Sequence, residues 1–249
     1  MEDEMEAIKT SRLTRKFNGL KAVDAISISV EKDEIFGFLG LNGAGKTTTV
    51  RMLTTILPPT AGSAKVYGHS IRKEMVEVRK AIGVVFEDAS ATQPDWTPME
   101  YLEYFGAISG LDDKETKKRS LALLEEMELY DARERTLKTL SAGMAKRVEI
   151  CRALLSRPKV LFLDEPTKEL DIPGKRYIWD MLKKLKEEEV TIFLSSHDVR
   201  EIEVLCDTVS VIHKGKVVHS GDASELKGKG GMDELEDRVI KLLRGDLGE

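Results

Sequence analysis

The run Gly40-Leu41-Asn42-Gly43-Ala44-Gly45-Lys46-Thr47-Thr48 constrains this chain more than any other stretch. It follows Ile35-Phe36-Gly37-Phe38-Leu39, an apolar run that reads as a buried strand, and precedes Thr49-Val50-Arg51-Met52-Leu53, the first turns of a helix. Strand, glycine-rich loop and helix form the context that a phosphate-binding loop of the pattern G-x-x-x-x-G-K-[ST] requires. The glycines let successive N–H groups curl around phosphate oxygens, and the positive end of the helix dipole faces the same anion. Gly40, Asn42, Gly43, Ala44, Gly45 and Thr48 build the cradle, Lys46 reaches the terminal phosphates, and the Thr47 hydroxyl is a ligand for Mg²⁺. The stretch predicts a bound nucleoside triphosphate.

At 249 residues there is room for one large α/β domain, or for one domain with an inserted subdomain, around a sizeable core. A net charge of −5 argues against a nucleic-acid partner gripped by a basic surface, and none is expected. Cys151 and Cys206 lie far apart without metal spacing, so two buried thiols in a reducing compartment are expected. No apolar run approaches about 18 residues and the N-terminus is acidic, so neither a membrane span nor an export signal is expected.

Along the chain, residues 7–13 and 23–30 alternate, with Ile26, Ile28 and Val30 on one face of an expected antiparallel strand. Phe17-Asn18-Gly19 reads as the loop between them, with Phe17 either core or a flat surface for a base. Residues 82–86 read as a strand that delivers Glu87 and Asp88 to its C-terminal edge, where open parallel sheets bind ligands. Residues 89–157 change character. Thr97, Pro98 and Glu100 combine a cap, a first-turn proline and a third-position glutamate, and helical patterns follow at 99–109 and 113–128. Trp96 and Tyr101 are expected to be exposed, suiting either a partner surface or a small core for this helical insertion. Ser141 is placed to cap a helix with Val148, Cys151, Leu154 and Leu155 on its buried stripe. Residues 160–163 then deliver Asp164 and Glu165 at a strand end, acids suited to metal binding and water activation in phosphoryl transfer. Residues 190–196 repeat the design and end in His197. Residues 227–231 read as a link to a short amphipathic helix, so 1–222 is expected as one domain and 223–249 as a C-terminal appendage.

Taken in order, these pieces resemble the ATP-binding cassette (ABC) ATPases, the nucleotide-binding subunits of ABC transporters, over roughly residues 7–221. The family's signature, LSGGQ or LSGGM, is matched by Leu140-Ser141-Ala142-Gly143-Met144. Its second acidic motif is matched by residues 160–165, and its switch histidine by His197. The resemblance implies an α/β P-loop NTPase with a RecA-like parallel core sheet, an antiparallel β subdomain and an inserted α-helical subdomain at about 89–157. It implies ATP hydrolysis, with ATP and Mg²⁺ as cofactors. Two ATPase subunits, identical or different, would pair head to tail. Lys46 and its loop would hold the phosphates, while Thr47 and Asp164 would serve the metal. Glu165 would polarise the attacking water, and His197 would contact the γ-phosphate. Ser141 and Gly143 of the opposite copy would close the cage, and Phe17 would stack on adenine where relatives carry tyrosine.

Residues 34–40, 51–55 and 83–86 look like the drug-resistance (ABC-2) exporter branch. That similarity implies export through an integral membrane permease docked near residues 88–105, with this subunit peripheral on the cytoplasmic face of the membrane. A soluble non-transport ATPase, and an ATP-gated dimerising module with weak hydrolysis, are the competing readings. Four further residues depart from the family pattern. Ala142 replaces the first signature glycine, and Lys168 and Glu169 replace the usual pair beyond Glu165. Glu87 stands where relatives carry glutamine. Its carboxylate offers oxygen to Mg²⁺ but repels phosphate by about 4 kcal/mol at ~4 Å and an effective dielectric near 20, before the metal offsets it. A tighter Mg²⁺ dependence is therefore expected.

Overall fold

Residues 6–87, 94–224 and 241 are described by the computed structural model of the chain. The polar stretch at 88–93 and the C-terminal link and helix lie outside the described residues. The chain opens with β1 (Glu6–Phe17), β2 (Leu20–Ile26) and β3 (Ser29–Glu31), followed by β4 (Ile35–Leu39) and α1 (Lys46–Leu53). Next come β5 (Ala61–Val66), β6 (His69–Ser70), α2 (Met75–Ala81) and β7 (Ile82–Val85). Three helices follow: α3 (Pro98–Ile108), α4 (Asp113–Glu126) and α5 (Ala142–Leu154). The chain then returns through β8 (Val160–Asp164), α6 (Ile172–Glu187), β9 (Thr191–Ser196), α7 (Val199–Leu205) and the hairpin of β10 (Thr208–His213) and β11 (Lys216–Asp222).

Two sheets result. Strands β10, β4, β9, β8 and β7 lie side by side and parallel, with β11 antiparallel at one edge. Strands β1, β2, β3, β5 and β6 form an antiparallel sheet. The parallel strands are largely apolar because both faces are covered. Ile35, Leu39, Leu161, Leu163, Ile192 and Leu194 point into the core shared with α3–α7. Phe36, Phe38, Phe162 and Phe193 point the other way, into the core under the antiparallel sheet and α1, with ring centroids 5.1–5.4 Å from that of Phe193. Period two thus assigns each residue to one of two cores. Among the described residues no helix is long and apolar enough to cross a membrane.

Every helix from α3 to α7 starts at a side-chain cap. Thr97 and Glu100 form the expected reciprocal capping box, and Asp112, Ser141, Asp171 and Asp198 cap the others. Both cysteines are buried, as expected, and they are not bonded to each other.

Three expectations need correction. The strand expected over 23–30 is two strands, because the Thr10 hydroxyl intrudes in the ladder. It donates to Ile26 O at 3.2 Å and accepts from Ile28 N at 2.8 Å. Phe17 is the last residue of β1, paired with Leu20 across an Asn18-Gly19 turn, rather than part of a loop. Tyr101 is not exposed. It is 3% accessible and donates from Oη to Glu149 Oε1 at 2.6 Å, while half-buried Trp96 packs edge-on against Tyr104. Burial of an aromatic ring with a satisfied hydroxyl makes the core reading the right one for this pair.

Candidate nucleotide site

Neighbouring strands β4, β9, β8 and β7 all end at the same edge of the sheet, and each hands over to a chemical group. Strand β4 leads to the glycine loop, β9 to His197, β8 to Asp164 and Glu165, and β7 to Glu87. The C-terminal edge of an open parallel sheet is where such folds bind ligands.

The loop's shape requires glycine at two positions. Gly45, at the mouth of α1, has φ 114°, and a Cβ there would lie 2.6 Å from Ala22 O. A Cβ on Gly40 would lie 2.6 Å from Ile212 O. The loop is pinned on both sides: Gly40 N donates to Ser196 O at 3.1 Å, and Gly215 N donates to Ala44 O at 2.9 Å. Unlike α3–α7, α1 has no side-chain cap, which leaves its first-turn N–H groups for an anion. Gly45, Lys46, Thr47 and Thr48 line a cavity of about 340 Å³ with Asn42, Gly43, Glu87 and Glu165. Ala22 and Leu41 complete its wall.

Lys46 is 6% exposed. Its Nζ donates to Gly40 O at 2.6 Å and stands 2.9 Å from Glu165 Oε1. The other oxygen of Glu165 lies 2.7 Å from His197 Nδ1. The three side chains form a continuous line from the glycine loop to His197. Glu165 adopts φ 52°, a left-handed conformation that costs a glutamate about 1–3 kcal/mol. Its backbone is held there by Glu165 N donating to Ser195 O at 3.0 Å.

Asp164 is fully buried beside Thr47. Ser195 Oγ donates to its Oδ1, and its Oδ2 is buried without a hydrogen-bond partner. Burial raises this carboxyl above the usual range, while the Ser195 hydroxyl pulls it back. A buried orphan carboxylate oxygen next to a threonine hydroxyl fits a hard divalent cation, which takes one or two protein oxygens and completes its shell with water and phosphate. Asp164 and Thr47 would hold such a cation, with Glu87, on the cavity wall, placed to offer a further oxygen.

The supporting groups were not foreseen from sequence. Ser196 Oγ donates to Glu201 Oε2 at 2.6 Å, Trp179 Nε1 donates to Glu201 Oε1 at 3.1 Å, and Asp198 N donates to Ser196 Oγ at 3.0 Å. This network clamps the turn that carries His197. Burial raises the Glu201 carboxyl above its usual range. The available signal was a glutamate directly before Ile202 on the buried face of α7.

Glu87 does not stand alone beside the cavity. Lys168, from the turn after Glu165, forms an ion pair with its Oε1. The repulsion expected of Glu87 is therefore countered within the chain before any metal arrives.

Ser141 and Gly143 lie elsewhere. Ser141 caps α5, accepting from Met144 N at 3.2 Å, and with Gly143 it lines a separate cavity of about 480 Å³ alongside Glu169 and Asp171. Neither residue lines the phosphate cavity of its own chain. Phe17 is 42% exposed with the Arg15 guanidinium 4.6 Å from its ring centroid, which removes the core alternative.

The sequence profile of the family described as ABC transporter matches residues 23–168. The chain is 38% identical to the daunorubicin/doxorubicin resistance ATP-binding protein DrrA of Streptomyces peucetius, over 94% of this chain and 70% of that one. It is 37% identical to the ABC transporter ATP-binding protein NatA of Bacillus subtilis, over 94% of this chain and 96% of that one. The structure of cbiO1 from Clostridium perfringens, part of the ABC transporter complex cbiONQ, superposes with a TM-score of 0.83 at 29% identity and covers 97% of each chain. Phosphate loop, strand-end acids, histidine and relatives agree: the chain belongs to the ABC transporter family, as an ATP-binding and ATP-hydrolysing subunit.

Proposed function

We propose that two ATPase subunits close head to tail around two ATP molecules and drive export through a separate membrane permease. The observation that carries this reading is the separation of the two half-sites. The phosphate cavity holds Lys46, Thr47, Glu87 and Glu165, while exposed Ser141 and half-buried Gly143 lie apart, lining a second cavity at the mouth of α5. A helix N-terminus with exposed N–H groups suits the γ-phosphate presented by another copy.

In this reading Lys46 and the loop N–H groups neutralise the phosphates, and Phe17 stacks on adenine. Thr47 and Asp164, with Glu87 at hand, would hold Mg²⁺, which would supply Lewis-acid polarisation of the phosphoryl oxygens. Arrival of the γ-phosphate draws Lys46 away from Glu165. Glu165, still oriented by His197, then holds the attacking water and takes its proton. Ser141 and Gly143 of the second subunit donate to the charge that spreads over the γ-phosphoryl oxygens. The helical insertion at about 89–157 faces the permease near residues 88–105, which keeps this subunit at the cytoplasmic face of the membrane. The likeness to DrrA supports export.

Sedimentation velocity tests the pairing. Glu165→Gln with Mg²⁺-ATP is expected to sediment as a dimer, and adding Ser141→Arg is expected to return it to monomer. A Glu165→Gln protein that stays monomeric with its permease supplied overturns the reading.

A further inference from the structure

Two of the departures from the family pattern, Glu87 and Lys168, meet in space. They are 81 residues apart in sequence, yet Lys168 Nζ pairs with Glu87 Oε1 at the wall of the phosphate cavity. The backbone on both sides fixes the encounter. Lys146 Nζ, reaching from α5, lies 3.4 Å from Phe86 O and 3.5 Å from Glu87 O. Lys168 N donates to Glu165 O at 3.3 Å, so the ammonium is delivered by the same turn that carries Glu165. Both side chains keep about a third of their surface, 37% for Lys168 and 32% for Glu87, so water reaches the pair and the contact is exchangeable.

We propose that Lys168 is a positioning residue, the resident counter-ion of Glu87. It cancels the carboxylate's charge at the cavity wall while the nucleotide enters, and it gives Glu87 up when a divalent cation comes in with the phosphates. A carboxylate facing the phosphates of ATP repels them, and a neighbouring ammonium removes that repulsion at short range. Once Glu87 turns to the cation, the turn from Glu165 to Lys168 loses its tie to the end of β7. The metal's arrival is thereby felt at the segment bearing Glu165. The inference rests on the phosphate-cavity reading above.

The experiment is a double-mutant cycle on ATP binding, read by calorimetry in EDTA and again in Mg²⁺, with thermal unfolding of the nucleotide-free proteins as a control on folding. Lys168→Met is expected to weaken metal-free ATP binding at least tenfold and to change binding in Mg²⁺ much less. The ratio of the two dissociation constants should therefore rise about tenfold. Lys168→Arg should keep the wild-type ratio. Adding Glu87→Gln to Lys168→Met should restore metal-free affinity to within about threefold of wild type, because no charge is left to cancel. A Lys168→Met protein with unchanged metal-free affinity overturns the proposal, as does a double variant whose losses simply add. Lys46→Ala separates this from failure of the cavity reading: if it binds ATP as well as wild type, the cavity assignment itself is wrong.

Discussion

Removing the charge of Glu165 should tighten ATP binding even where hydrolysis is impossible. In the nucleotide-free chain its carboxylate sits 2.9 Å from Lys46 Nζ, with both side chains no more than 6% exposed. At an effective dielectric of 20 that separation corresponds to about 6 kcal/mol of attraction. Desolvation of the two groups cancels most of it, leaving the ion pair a net contribution of about 1.5–3 kcal/mol. The terminal phosphate of ATP has to take over Lys46 against that competitor. Glu165→Gln weakens the competitor and leaves the ammonium held mainly by Gly40 O, so metal-free ATP affinity should rise about 10–100-fold. Titration calorimetry in EDTA reads this directly. Glu165→Asp, which keeps the charge, should gain far less. Unchanged or weaker ATP binding by Glu165→Gln in EDTA would refute the idea that this carboxylate competes with phosphate for Lys46.

Two further outcomes follow from the buried polar groups. Burial holds the Asp164 carboxyl above its usual value of 3.8, so its charge destabilises the folded chain at neutral pH, and that cost fades as the pH falls toward 3.8. Asp164→Asn should therefore raise the nucleotide-free Tm at pH 7.5 by an amount that shrinks on acidification, while losing the extra stabilisation by Mg²⁺-ATP. A Tm difference independent of pH counts against this. Tyr101→Phe removes the 2.6 Å bond to Glu149, a carboxylate that is 2% exposed, and should cost about 1–3 kcal/mol. At about 2–4 °C per kcal/mol for a chain of this size, differential scanning fluorimetry should see a drop of several degrees.

Much of the fold was legible because its signals are local. The glycine loop, the capping residues Thr97 and Ser141, and the apolar runs ending at Asp164 and Ser196 each announce their element within a few residues. What escaped depends on encounters between distant segments. Nothing near Tyr101 reveals that Glu149 waits 48 residues on to accept a hydrogen bond from its hydroxyl, so an aromatic beside a charged helix face read as exposed. The break between β2 and β3 comes from the side chain of Thr10, which lies on the opposing strand. The charge of Glu87 read as a liability because its partner lies beyond three helices of sequence. Ser195 and Glu201 were passed over for the same reason. A serine and a glutamate acquire a role only when the fold brings Asp164 and Ser196 to them.

The strands that lead to the glycine loop, His197, Glu165 and Glu87 end side by side, which makes interstrand hydrogen bonding the ruler for where these segments start, with a graduation of about 4.8 Å. No loop rearrangement can alter that spacing, and any lesion that splays the sheet alters it everywhere together. Loss of turnover on warming should accordingly precede global melting and follow the fraying of that one edge.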